Sequence, residues 1–92
     1  MSFSSASGTL VADTVATESF TQRCADFVVV HMVSGSDPIY FTLDGSTPSV
    51  EGANCLVVFA GTPSRSVQIP TADAQEVKLI SAGTPDYTVE VF

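Results

Sequence analysis

Short runs of β-branched and aromatic residues alternate along this chain with clusters of Gly, Pro, Asp and Ser. Period-two alternation within those runs predicts strands over Thr9–Val11, Thr14–Phe20, Phe27–Val33, Ile39–Leu43, Asn54–Phe59, Arg65–Ile69, Glu76–Ser81 and Tyr87–Phe92. Between them stand turn signals such as Ser34-Gly35-Ser36-Asp37-Pro38, Asp44-Gly45-Ser46-Thr47-Pro48 and Ala82-Gly83-Thr84-Pro85-Asp86. Gly there supplies positive φ and Pro fixes φ. No stretch keeps a helical period; Pro70 and Gly83 confine Ala72–Val77 to a single turn at most. Seven or eight short strands, with turns about every 8–12 residues, predict an all-β sandwich or small barrel.

The run Phe27–Val33 is apolar on both faces, with Phe27, Val29, His31 and Val33 on one and Val28, Val30 and Met32 on the other. Such a strand is central and covered twice, or covered on its second face by a neighbouring subunit. A small sandwich has two inner faces to fill, and Val28, Val30, Met32, Leu56, Val58, Ile80 and Phe92 look surplus to them. Two outcomes are open. The surplus projects outward as a patch that an oligomer or a larger particle covers, or it forms a second cluster under the N-terminal segment.

Residues 1–8 are Ser/Ala/Gly-rich and read as a flexible leader that orders only against a partner, ahead of a single domain over 9–92. On that reading, removing residues 1–8 leaves the fold intact and weakens partner binding. The expected interface is Ser2, Phe3, Ser4, Ser5, Leu10, Val11 and Phe20.

Composition narrows the function classes. The chain has 92 residues, 45% of them hydrophobic, which excludes a disordered tail. Ten acids against three bases leave a net charge of −7, with Arg23, Arg65 and Lys78 scattered singly. Phosphate backbones need clustered cations, so nucleic acid is not an expected partner. No apolar run approaches the roughly 18 residues of a membrane helix, and Met1–Gly8 lacks the basic and apolar regions of a secretory signal. Synthesis in a cytoplasm follows, which favours thiols over a disulfide for Cys24 and Cys55, both read as small apolar fillers.

Catalytic signatures are missing: there is no Gly-x-Ser-x-Gly elbow, no P-loop and no His-Glu-x-x-His pair. His31 sits mid-strand among apolar residues and reads as a half-buried structural histidine. Asp37, Asp44, Glu51 and Asp86 fall in or near turns, where carboxylates bond their own backbone more often than they converge on calcium. Tyr40 and Tyr87 are the candidate sugar platforms in a chain without Trp, yet both lie in strands. No catalytic residue, metal or cofactor is expected.

Two segments carry a resemblance. Ile39-Tyr40-Phe41-Thr42-Leu43-Asp44-Gly45-Ser46-Thr47-Pro48 resembles the hairpin of the immunoglobulin-like domains that end chitobiases and hexosaminidases, where it is structural: strand, tight Asp-Gly turn, Pro exit. Val77-Lys78-Leu79-Ile80-Ser81-Ala82-Gly83-Thr84-Pro85-Asp86-Tyr87-Thr88-Val89 is similar to small β-rich virion proteins of tailed bacteriophages, especially those of actinobacteria. Together the resemblances span Thr9 to Phe92. They imply an Ig-like or jelly-roll-like β-sandwich, and a capsid decoration or cement protein on the outer surface of the head. The implied partner is the major capsid protein, with a homo-oligomer, a trimer for preference, doing the binding. A tail, head-fibre or carbohydrate-adhesion module of the virion is the alternative.

Overall fold

The computed structural model describes residues 4–20, 27–43, 46–52, 55–60, 64–68 and 75–91. Within them lie eight strands and no helix: β1 (Ser4–Thr9), β2 (Ala16–Phe20), β3 (Phe27–Ser34), β4 (Ile39–Thr42), β5 (Leu56–Val58), β6 (Ser64–Gln68), β7 (Gln75–Ser81) and β8 (Asp86–Val91). They form two four-stranded antiparallel sheets, one in the order β1-β8-β3-β6 and the other β2-β7-β4-β5. The all-β sandwich expected from the alternating runs is the observed fold, and its strand order is that of a jelly roll.

The topology follows from one long antiparallel ribbon that has been rolled up. Ser4 faces Val91, Ala16 faces Leu79 and Phe27 faces Gln68, so paired residue numbers add to 95 in β1–β8, β2–β7 and β3–β6. In β4–β5, Ile39 faces Val58 and the total is 97. The slip is even, and an even slip keeps every side chain on its own face of the pleat. Two further pairings, β3–β8 and β4–β7, close the ribbon into sheets, the first with an irregularity between Met32 and Ser34.

Between the sheets lies a core of Phe20, Val28, Val30, Met32, Ile39, Phe41, Val58, Val77, Leu79, Val89 and Val91, with Leu10 closing one end. Of the residues that looked surplus, most fill this core, which is neither of the two outcomes left open. Val28, Val30, Met32 and Val58 are buried between the sheets and Leu56 is partly buried against them, whereas Ile80 is buried on the outer face of the second sheet beside Tyr40; Phe92 lies outside the described residues. Cross-strand neighbours decide the matter. Val28 is flanked by Val67 and Val91, and Val30 by Val89 and the stem of Arg65 on edge strand β6, whereas Val29 is flanked by Ser66 and Glu90. The face with apolar neighbours turns inward. Among the described residues the exposed large hydrophobics are Val11, Phe27, Val33 and Phe59.

The leader is a second correction. Residues 4–8, expected to be loose, belong to β1, and the strand expected at Thr9–Val11 ends at Thr9; Met1–Phe3 lie outside the described residues. Ser-Ser-Ala-Ser-Gly is a poor strand former by composition. The ladder with β8 imposes the conformation instead, and the small residues fit because the Tyr87 ring occupies the space beside Gly8. Truncation of residues 1–8 therefore strips an edge strand from β8 rather than sparing the fold. The Asp-Gly hairpin is changed too. β4 does pair with β5, but residues 43–55 separate them, so Asp44-Gly45, outside the described residues, is not the whole turn.

Antiparallel alternation places the β1–β2, β3–β4, β5–β6 and β7–β8 connections at one end, opposite Ser4 and Val91. Three of them are laced together there. Leu10 N–H donates to Pro85 O at 3.0 Å, Asp13 N–H donates to Ser81 O at 2.8 Å, and Gly35, at φ 112°, lies against Pro85. A Cβ on Gly35 would approach the Pro85 backbone to 2.9 Å in a conformation that L-residues avoid. Gly35→Ala is expected to lower stability by roughly 2 kcal/mol or more. Urea unfolding checks this, and a loss below about 0.5 kcal/mol contradicts the reading.

Candidate functional site

The outer face of the first sheet carries its polar chemistry. Alternation puts Ser5, Ser7 and Thr9 of β1, Asp86, Thr88 and Glu90 of β8, Val29, His31 and Val33 of β3, and Ser64 and Ser66 of β6 on that face. His31 is held across three strands: Ser64 Oγ lies 2.7 Å from Nδ1 and Glu90 Oε1 lies 2.5 Å from Nε2. The imidazole is a third exposed, so the expected half-buried histidine is what the sheet holds. At the end of the same face, Asp86 accepts from Ser34 Oγ at 2.8 Å and from Thr9 Oγ1. The two hydroxyls hold its carboxyl below the usual carboxylate range, with slight desolvation opposing them.

A Ser–His–carboxylate chain has the composition of a hydrolytic triad, a coincidence invisible in the sequence because Ser64, His31 and Glu90 lie far apart along it. Hydrolysis also needs an oxyanion cradle and a concavity that orients substrate. Among the described residues, Ser64 borders an open groove of about 310 Å³ at the sandwich edge, with Val57, Phe59 and Arg65. Both imidazole nitrogens are committed to flanking strands, which ties β6, β3 and β8 together on the wet side of the sheet.

The other expected sites separate in the same way. Tyr87, a candidate sugar platform, points between the sheets, 4% exposed, and donates its hydroxyl to Glu18 Oε2 at 2.5 Å. It cannot stack on a ligand. Tyr40 is half-buried on the outer face of the second sheet, in a row with Val57 and Ile80. Among the described residues no three His, Cys, Asp or Glu side chains are grouped to hold a metal; Asp44 lies outside them. Cys55 Sγ donates to the Ser49 carbonyl at 3.7 Å, and Cys24 lies outside the described residues. Of the expected interface, Leu10 and Phe20 are buried in the core and serve the fold, Ser5 and Val11 are exposed, and Ser2 and Phe3 lie outside the described residues, as does the Ser4 side chain. Sequence reasoning missed Val33 and Phe59 as exposed apolar groups, because alternation assigns faces without saying which face is wet.

No protein-family model matches this chain, and no curated protein matches it either. Among solved structures it is similar to PliG of Aeromonas hydrophila, a periplasmic lysozyme inhibitor of g-type lysozyme. The TM-score is 0.61 at 9% identity, over 97% of this chain and 83% of that one. At that identity the likeness is one of fold.

The Tyr87–Glu18 bond is a buried polar link between the sheets, and it carries a pH signature. Burial, then the hydrogen bond and charge of Glu18, push the Tyr87 phenol up to about 12 from its ordinary value of 10.0. The folded chain keeps this proton where the unfolded chain loses it, so stability falls as pH rises from about 10 to about 12. The loss across that window is roughly 2–3 kcal/mol. Tyr87→Phe should flatten that fall and cost about 1–3 kcal/mol at neutral pH, by stranding the Glu18 carboxylate. Denaturant unfolding of both proteins at pH 7 and above pH 10 reads both effects.

Proposed function

We propose that this chain is a structural, non-catalytic protein of a bacteriophage virion, a decoration or cement protein on the outer surface of the head. Its partner on this reading is the major capsid protein. The observation that carries the proposal is the loop end opposite Ser4 and Val91, where the laced connections present Val11 and Val33, each 63% exposed, and the separate β5–β6 connection presents Phe59, 53% exposed. Apolar side chains held out on a braced scaffold suit docking on a large body. The jelly-roll order supports the reading by analogy, since viral capsid domains use it, as do lectins and cupins. The resemblance of Val77–Val89 to small virion proteins supports it independently.

Mechanistically, a protein that binds only the assembled lattice stabilises that lattice by its differential affinity, without chemistry. Copies joined as a trimer raise avidity through effective concentration. The net charge of −7 keeps the free protein soluble and suits basic ground on a capsid exterior. The adhesion alternative loses one of its two tyrosine platforms and retains Tyr40.

Co-sedimentation with purified phage heads tests the proposal. Wild-type protein should saturate the heads, and Val11→Asp with Val33→Asp should weaken occupancy at least tenfold with unchanged thermal unfolding. Heads that ignore the wild-type protein remove the reading, and glycan binding lost in Tyr40→Ala moves it to adhesion. The Ser64–His31–Glu90 chain gets its own check. p-Nitrophenyl acetate should show no turnover that His31→Ala abolishes, and a fluorophosphonate probe should leave Ser64 unlabelled.

A further inference from the structure

A two-sheet sandwich has four edge strands, here β1 and β6 in one sheet and β2 and β5 in the other. Each presents a row of backbone N–H and C=O groups to which another chain can add, and soluble proteins guard such rows with charges, short strands, bulges or prolines. Three of these edges are guarded. β2 carries an inward-pointing acid, Glu18, bonded to Tyr87. β5 is 3 residues long, and its Val57 carbonyl accepts from Arg65 Nη1 at 3.3 Å. β6 carries Arg65 itself.

β1 is different. It runs 6 residues, Ser-Ser-Ala-Ser-Gly-Thr, without a charge or a proline, and its register with β8 is unbroken from Ser4 to Thr9. Among the described strands β8 is its neighbour on one side only. The ladder phase identifies the open groups. Leu10, next in register after Thr9, donates its N–H to Pro85 of the β8 side. In an antiparallel pair alternate residues point their backbone groups to the same side. Even-numbered residues of β1 therefore face β8, and Ser5, Ser7 and Thr9 aim N–H and C=O at the open edge.

We propose that β1 is a docking edge for an extended, cationic segment of a partner protein, which adds as a fifth strand of this sheet. Charge selects the occupant. On the outer face, Ser5 stands beside Glu90 and Thr9 beside Asp86, so an added strand meets a carboxylate behind a small side chain at two positions. Those positions are four residues apart, which matches Lys or Arg at i and i+4 of the incoming strand, both on one face. Long basic side chains span a serine or threonine to reach the acids. Behind the edge, a shallow groove of about 370 Å³ bordered by Ser7, Thr9, Val33, Asp86 and Thr88 runs over β8 on the outer face, open to the long side chains of an added strand. Pairing this edge with the same edge of a second copy would set the Glu90 and Asp86 carboxylates of both copies side by side, a local repulsion the cationic segment avoids. This inference rests on the docking role above and names the contacting strand and the chemistry of its partner.

The test uses the full chain and a defined probe, the capped peptide Thr-Lys-Val-Thr-Val-Lys-Thr, with a Glu-for-Lys version as control. Amide exchange by NMR should slow at least tenfold at Ser5, Ser7 and Thr9 with the Lys peptide and stay unchanged with the Glu peptide. Ser7→Pro removes an edge-facing N–H and should weaken binding at least tenfold. Ser7→Lys adds a natural type of edge guard without touching the β8 ladder, and should do the same if the proline variant fails to fold. Protection elsewhere, equal affinity for both peptides, or protection that grows with protein concentration alone overturns the proposal; the last would name a second copy as occupant. Phage heads separate this failure from that of the functional reading. Heads that bind wild-type and Ser7→Lys protein equally remove β1 as the contact and leave the decoration role standing. Protein that protects its edge with the Lys peptide but ignores heads keeps the edge and removes the role.

Discussion

Register along a single folded ribbon is the constraint on which this molecule depends. Because partners in β1–β8, β2–β7 and β3–β6 keep one numerical relation, every inward residue of one strand meets an inward residue of the next. A slip of one position in the pairing of β3 would carry Val28, Val30 and Met32 to solvent and bring Val29 and His31 to the core. The slip that does occur, between β3–β6 and β4–β5, is even and so harmless. The outermost pairing joins the two ends of the described chain, Ser4 to Val91, which makes β1 an integral wall of the sandwich despite its weak composition. Small residues there are a condition of the packing: a larger side chain than Gly8 would press on the Tyr87 ring that reaches across to Glu18.

From that register the two kinds of surface follow. The outer face of the first sheet collects hydroxyls, His31, Glu90 and Asp86 because each lies at the alternate phase from the core valines. Its side chains satisfy one another: His31 is bonded on both nitrogens, and Asp86 accepts from two hydroxyls. Groups so committed brace the sheet and are poor starting points for catalysis, which needs an acid or base poised against a substrate. The loop end is the opposite case. The backbone around Val11 and Val33 is tied down by the contacts to Pro85 and Ser81, while both side chains, with Phe59 on the β5–β6 connection, are left in water. Rigid support with exposed apolar tips lowers the ordering entropy that binding must overcome.

Much of the fold was legible in the chain. Alternation within Tyr87–Val91 separates Tyr87, Val89 and Val91 from Thr88 and Glu90, as the structure does, and the Gly/Pro clusters fall between strands. Legibility failed where a segment carried no contrast. Phe27–Val33 is apolar on both faces, so its inward side is set by Val67, Val89 and Val91, residues remote in sequence. Ser4–Gly8 has neither β-branching nor alternation, so its strand exists only through pairing with β8. The polar network failed the same test. Nothing local in the sequence links Ser64 to His31 or Thr9 to Asp86; only the ribbon register brings them together.

The same reasoning explains why an edge strand is an informative feature of these two sheets. A flat polar sheet face offers a partner few apolar contacts, and three apolar side chains at a loop end supply anchoring without much direction. An open strand edge supplies direction, because its hydrogen bonds fix the axis and register of whatever adds to it. β1 combines that edge with a carboxylate at either end of the row behind it, Glu90 beside Ser5 and Asp86 beside Thr9. Charge then distinguishes a basic strand from an acidic one, while the small residues of β1 keep the approach sterically open. A composition that looks like a featureless leader is, in this setting, what an accessible edge requires.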